Sequence, residues 1–336
     1  MNELDHDPAG VEILRASLAV RDGARRLVGA DAREVAFLRV TDGGKVGFGE
    51  CAPLVGLHRE TLDEAIDALE RWADGAVEPD AMPPSAAFAA TCAIATLEGF
   101  GSRPAGDVEV AAFFAGGVDE LDADAAAALA ASGARTLKLK IGRAGAEAER
   151  ALVARVLELL PGARLRLDGN RRLSEDDCLA RLRGFDASRF EYLEDPLEDP
   201  SRLASLAARS GIAIALDETV LDRSGAAGAL RDELARAGCV AAWVLRLSVL
   251  GPLARTRALA QEAEARGAKA VLSTAYESSY ALRLAAHLAA TLPNGRCAHG
   301  LGTAALLAED SCAPAMPVAG AIAADPLPVP FVEAWS

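Results

Sequence analysis

Between residues 108 and 303, short apolar runs alternate with longer segments rich in Ala, Leu, Arg and Glu. The runs at 108–114, 136–141, 164–170, 190–195, 212–217, 240–247, 268–273 and 298–303 have the length of strands. The segments between them, such as 147–160 and 254–266, have helical length and composition. Strict alternation of strand and helix predicts a parallel sheet with crossover helices, and eight strands predict closure. The run at 298–303, Ala-His-Gly-Leu-Gly-Thr, is the poorest strand material by propensity.

The first hundred residues follow a different pattern. Three strands are predicted at 11–20, 34–40 and 45–50, with Asp42-Gly-Gly44 as a hairpin turn. The stretch Gly47-Phe-Gly-Glu-Cys-Ala-Pro-Leu54 then runs into a loop at 55–60 and an amphipathic helix at 61–73. A Pro-rich linker at 79–84 precedes a helix at 85–99, for which Ser85 is the predicted N-cap. The expected fold is therefore α/β: an N-terminal α+β capping domain over 1–104, then a modified TIM-type (β/α) barrel of seven to eight units over 105–310. The Pro- and Ala-rich tail, 311–336, is expected to pack back on the capping domain.

Composition narrows the partners. With 336 residues and 51% apolar content the chain can bury a sizeable core. No run of eighteen apolar residues occurs and the first residues are acidic, so neither a membrane span nor a signal peptide is expected, and the default address is the cytoplasm. Six scattered cysteines without a Cys-x-x-Cys pair read as reduced core thiols. A net charge of −14 disfavours nucleic acid and anionic membranes as partners, and says little about small substrates, because a bound cation and local Lys or Arg set the potential inside a pocket. The oligomeric state is not legible.

The predicted strands deliver chemistry to one place. Side chains alternate along a strand, so Arg166, Asp168 and Asn170 share one face and Leu165 and Leu167 the other. Asp168, Glu194 and Asp217 each end an apolar run, spaced by 26 and 23 residues (194−168 and 217−194), about one strand, one helix and their loops. Three carboxylates converging on a barrel mouth repel one another unless a hard divalent cation sits between them. Lys138 and Lys140 likewise share a face. On a solvent-facing strand they need no explanation; inside a barrel they do, and Lys140, nearer the mouth, is placed to act as a base. Arg246 stands at the end of the sixth run, and Ser273 and Thr274 bring hydroxyls at the end of the seventh. For Ser278 or Ser279 a helix N-cap is the expected role. Glu218, next to Asp217, is expected to point away by strand alternation.

Lys-x-Lys, Asp-x-Asn, Glu-Asp-Pro and Leu-Asp-Glu-Thr, in this order at these strand ends, resemble the enolase superfamily in its muconate-lactonizing subgroup. The 47–54 stretch, Arg59-Glu-Thr61, Glu277-Ser-Ser279 and His299-Gly-Leu-Gly-Thr303 look most like the o-succinylbenzoate synthase family. The resemblance implies Mg²⁺, or Mn²⁺, on Asp168, Glu194 and Asp217, with Lys140 as base and no organic cofactor. It also implies syn dehydration of a succinyl-cyclohexadiene carboxylate to o-succinylbenzoate, in menaquinone biosynthesis, through an enediolate. Lys138 and Arg246 are expected to assist catalysis. Arg166, Asn170, Ser273, Thr274, Leu54 and His58 are expected beside the substrate or directly behind the groups that touch it.

One departure stands out. The family usually carries a second lysine, in a Lys-Pro sequence, where this chain reads Arg246-Leu247. Arginine keeps its proton and cannot readily act as a base. Two rivals follow. Racemisation of N-acylamino acids or epimerisation of dipeptides needs a proton donor on each face, and dipeptide epimerases typically add an Asp-x-Asp where this chain reads Leu301-Gly-Thr-Ala-Ala305. The other is a metal-binding barrel that has lost catalysis, against which the intact acids and Lys140 argue.

Overall fold

The structure is a computed structural model, and it describes residues 10–222, 224–292 and 297–331. Strands β1 (Gly10–Ala19), β2 (Ala32–Asp42) and β3 (Lys45–Cys51) form an antiparallel sheet in the order β1-β2-β3. Asp42 pairs with Lys45 across Gly43 and Gly44, whose φ values of 54° and 78° are those that a two-residue hairpin turn demands. Helices Leu62–Ala73 and Pro84–Leu97 cover one face. Gly47 and Gly49 permit the close approach of the second helix, because a Cβ at either would overlap the carbonyl oxygens of Ala93 and Ala89.

Ser85 is not the N-cap of that helix. The helix begins at Pro84, whose missing N–H is an orphan donor there anyway. Ser85 lies in its first turn, and both its N–H and its hydroxyl donate to Glu60, at 2.9 and 2.7 Å. Thr61, by contrast, caps the preceding helix in a reciprocal box with Glu64.

The seven-stranded parallel sheet runs β11-β10-β9-β8-β7-β6-β5. In chain order these are β5 (Ala112–Phe114), β6 (Thr136–Lys140), β7 (Arg164–Asp168), β8 (Phe190–Glu194), β9 (Ile214–Leu216), β10 (Val240–Arg246) and β11 (Lys269–Ser273). The predicted strand at 108–114 is split, because β4 (Asp107–Glu109) turns away to pair antiparallel with β12 (Ala321–Ala323). The predicted strand at 298–303 is not a regular strand. Its place is taken by two single parallel bridges, His299 to Val110 on one sheet edge and Gly300 to Ser273 on the other, so this segment closes the barrel. Gly300 and Gly302 lack the side chains that make a strand pack, and closure rests on backbone bonds such as Gly300 N–H to the Leu272 carbonyl, 2.8 Å.

The tail packs on β4, outside the seven-stranded sheet, and on the segment before it, through β12 and the Leu327 N–H to the Gly101 carbonyl. It reaches the N-terminal sheet where Phe331 meets Phe37 edge-on at 5.3 Å. Residues 332–336 of the expected tail lie outside the described residues. No helix among the described residues is long and apolar enough to cross a membrane.

Candidate active site

Parallel register sets the site. Lys140 pairs with Asp168, and Asp168 with Glu194, so the ends of β6, β7 and β8 stand level at the barrel mouth. Asp217 follows directly after β9 and Arg246 ends β10. The three carboxylates are buried, at 1%, 1% and 0% exposure for Asp168, Glu194 and Asp217. A buried carboxylate needs a compensating charge, and each has one. Lys138 Nζ lies 2.7 Å from Asp168 Oδ2 and 2.7 and 2.8 Å from the two oxygens of Glu194. Lys140 Nζ donates to Asp168 Oδ2 at 2.5 Å and to Asn170 Oδ1 at 2.7 Å. Arg246 donates to both oxygens of Asp217.

These pairs set the ionisation. Burial raises the Glu194 carboxyl to about 8, helped by the nearby charges of Asp168 and Asp217 and opposed by Lys138. Asp168 is also buried, but Lys138 and Lys140 hold it well below the usual carboxylate range. Burial lowers the Lys140 ammonium, and Lys138 lowers it further against the pull of Asp168. Burial acts in the same direction on Lys138, yet Asp168 and Glu194 more than reverse it. Arg246 is held well above its ordinary value by Asp217 despite its burial.

Among the described residues no three acidic, His or Cys side chains surround a common centre. Lys138 occupies the space that Asp168 and Glu194 share. The donor set nonetheless fits a hard divalent ion: three oxygen-only side chains from consecutive strands, close enough that Glu194 feels the charge of the other two.

The other expected residues divide. Asn170 sits behind the acids, its backbone N–H on Asp168 Oδ1 and its Nδ2 on Glu218 Oε1, at 3.1 and 3.2 Å. Glu218 therefore faces the same side as the acids, contrary to expectation. The strand ends at Leu216, Asp217 has φ −116° and ψ −80°, and Glu218 opens a short helix, so alternation no longer applies. Arg166 lies lower in the barrel, with Nε and Nη2 on Glu191 at 2.9 and 3.2 Å and its guanidinium over Tyr192. Ser273, Thr274 and Leu54 line the cavity above the site. His58 does not: its Nδ1 accepts the Leu54 N–H at 3.0 Å, shaping the loop from behind. Ser278 stands at the N-cap position of helix Ser279–Ala290, but its hydroxyl and N–H donate to buried Glu50 and its side chain accepts no N–H of that helix. Asp310 takes the Ser279 N–H instead, at 2.8 Å.

The cavity over the site has a volume of about 420 Å³. Arg143, Tyr276, Tyr192 and Thr303, and the 27–29 turn of the N-terminal region, line it without having been singled out in the sequence. Two of them gave a signal that could have been used: Thr303 ends the His299-Gly-Leu-Gly-Thr303 motif, and Tyr276 is an aromatic residue inside the polar run 273–279.

Comparison with known proteins matches residues 120–327 to the family model described as enolase C-terminal domain-like, and residues 17–97 to that of the MenC N-terminal domain. The o-succinylbenzoate synthase of Yersinia enterocolitica is 35% identical over 312 residues, covering 89% of this chain and 87% of that one. That of Proteus mirabilis is 31% identical over 292 residues, covering 84% and 82%. Among solved structures, a dipeptide epimerase from Enterococcus faecalis superposes with a TM-score of 0.77 at 22% identity, covering 94% of this chain and 97% of that one. MenC from Desulfotalea psychrophila superposes with a TM-score of 0.72 at 22% identity, covering 93% and 99%.

Proposed function

Because this chain belongs to the enolase superfamily, in its o-succinylbenzoate synthase family, we propose that it dehydrates a succinyl-cyclohexadiene carboxylate to o-succinylbenzoate. The supporting observation is the asymmetry of the cationic groups at the mouth. Lys140 is the one whose ammonium is lowered, while Lys138 and Arg246 are held charged by the acids beside them.

Asp168, Glu194 and Asp217 would hold Mg²⁺ or Mn²⁺, which would supply positive charge for the substrate carboxylate next to the carbon that loses its proton. Lys140 Nζ takes that proton. Asn170 Oδ1 holds the same nitrogen in place. The ammonium so formed returns the proton to the departing hydroxyl on the same face, which makes the elimination syn, and aromatisation drives it. Lys138 stays charged and stabilises the anionic side of the site. Arg246, fixed on Asp217, adds positive charge on its own side and exchanges no proton. The N-terminal domain, through the loop at Leu54, covers the mouth and limits water.

Racemisation is less well supported, since it needs a second titratable donor. The test is an assay of the Mg²⁺-loaded protein with the cyclohexadiene, following the aromatic product by its absorbance. Appearance of the product at an enzymatic rate supports the reading, and its absence overturns it.

A further inference from the structure

Five cationic side chains line the cavity: Lys138, Lys140, Arg143, Arg166 and Arg246. Four are matched by carboxylates, Lys138 and Lys140 by the acids of the mouth, Arg166 by Glu191 and Arg246 by Asp217. Arg143 is exposed, and its guanidinium has no carboxylate or hydrogen-bond partner among the described residues. Tyr276 is half-buried in the same wall, its hydroxyl equally without a partner among the described residues, and its ring lies within electrostatic reach of Arg143. Each stands three residues beyond a strand end, Arg143 after Lys140 and Tyr276 after Ser273, so both lie one layer above the reacting groups, toward the rim.

Their backbones, by contrast, are held. The N–H groups of Gly142, Arg143 and Ala144 all donate to the buried carboxylate of Glu149, at 3.0, 2.7 and 2.8 Å, and Glu149 is held in turn by Arg181. Tyr276 has φ 63°, a left-handed backbone that a non-glycine residue adopts only when its surroundings enforce it. Here they do. Arg33 donates to the Tyr276 carbonyl at 3.3 Å and the Ala275 carbonyl at 3.5 Å, Glu277 takes the Ala275 N–H, and Glu50 takes the Ser278 N–H at 2.8 Å. Two loops held by these bonds thus aim a cation and a hydroxyl, both without a partner among the described residues, into one cavity, which is the geometry of a preorganised anion site.

We propose that Arg143 and Tyr276 form the subsite for a second anionic group of the substrate, a carboxylate remote from the reacting carbon. The proposal rests on the dehydration reading, in which that group is the carboxylate ending the succinyl arm. The site therefore selects a dicarboxylate over the same molecule with an apolar end.

The test uses the full-length Mg²⁺-loaded protein and two probes, o-succinylbenzoate and 2-butanoylbenzoate, which lacks the terminal carboxylate. Dissociation constants are measured by calorimetry for the wild type, Arg143→Met, Tyr276→Phe and the double variant. Both substitutions keep bulk at their positions, and far-UV circular dichroism checks the fold. The wild type should prefer the diacid on the order of 10–100-fold, the worth of a charge-assisted hydrogen bond. Each variant should lose most of that preference while binding the monoacid as the wild type does. In turnover, KM for the cyclohexadiene should rise with kcat changed by less than about threefold, as for an interaction made equally in ground and transition states. Unchanged diacid affinity in both variants overturns the subsite alone. Wild-type diacid preference without turnover overturns the dehydration reading alone. A wild type that binds neither acid overturns both.

Discussion

The guanidinium of Arg246 grips the carboxylate of Asp217, with Nε 3.0 and 2.8 Å from its two oxygens and a terminal nitrogen on the second of them. Where the family usually places a lysine able to give or take a proton, this chain places a cation that Asp217 and its own chemistry keep charged.

Arg246→Met should therefore lower kcat by on the order of 10²–10³, as expected for the loss of one electrostatic donor. Wild-type protein should not exchange the α-proton of N-succinylamino acids in deuterated water. Nuclear magnetic resonance following both antipodes checks this, and rapid exchange on both would show that another group serves the second face. Arg246→Lys is the sharper comparison, since it restores the family residue while removing the planar fork.

Lys140→Ala should abolish turnover and leave Mg²⁺ binding in place, because the base is lost and the carboxylates are not. Lys138→Ala should cost less turnover. Calorimetric Mg²⁺ titration alongside kinetics separates the two effects. Asp217→Asn should weaken Mg²⁺ by about tenfold or more; equal affinity would remove Asp217 from the metal set.

Glu50 ties the N-terminal sheet to the loop after β11, and burial raises its carboxyl from 4.5 to about 7. The folded state thus holds this proton more tightly than the unfolded state. Its contribution to stability is complete below pH 4.5, declines as pH rises, and is lost above about 7. Urea melts of the wild type should show this decline, at most about 3 kcal/mol, relative to Glu50→Gln across the same window. Parallel pH profiles for the two proteins would contradict it.

Gly49→Ala should destabilise by about 1–3 kcal/mol, because its Cβ would overlap the Ala89 carbonyl and force the covering helix off the sheet. Thermal unfolding measures the loss, and an unchanged midpoint would mean the helix yields without cost.

What the sequence by itself determined is what depends on local period. Alternation along a strand puts Lys138 and Lys140 on one face, and the 26- and 23-residue spacing puts Asp168, Glu194 and Asp217 at successive strand ends. The Asp42-Gly-Gly44 turn is equally local. The tertiary structure decided what depends on partners far along the chain. Barrel closure within the expected run 298–303 falls to single bridges at His299 and Gly300 and not to a regular strand, because the open edges of the sheet need backbone partners there while the glycines offer no side chains to pack. Ser278 leaves the helix end for Glu50, 228 residues away, because a buried carboxylate requires donors more than an end that Asp310 already serves. Glu218 joins the side of the acids because the backbone turns at Asp217, and alternation holds only while the strand lasts.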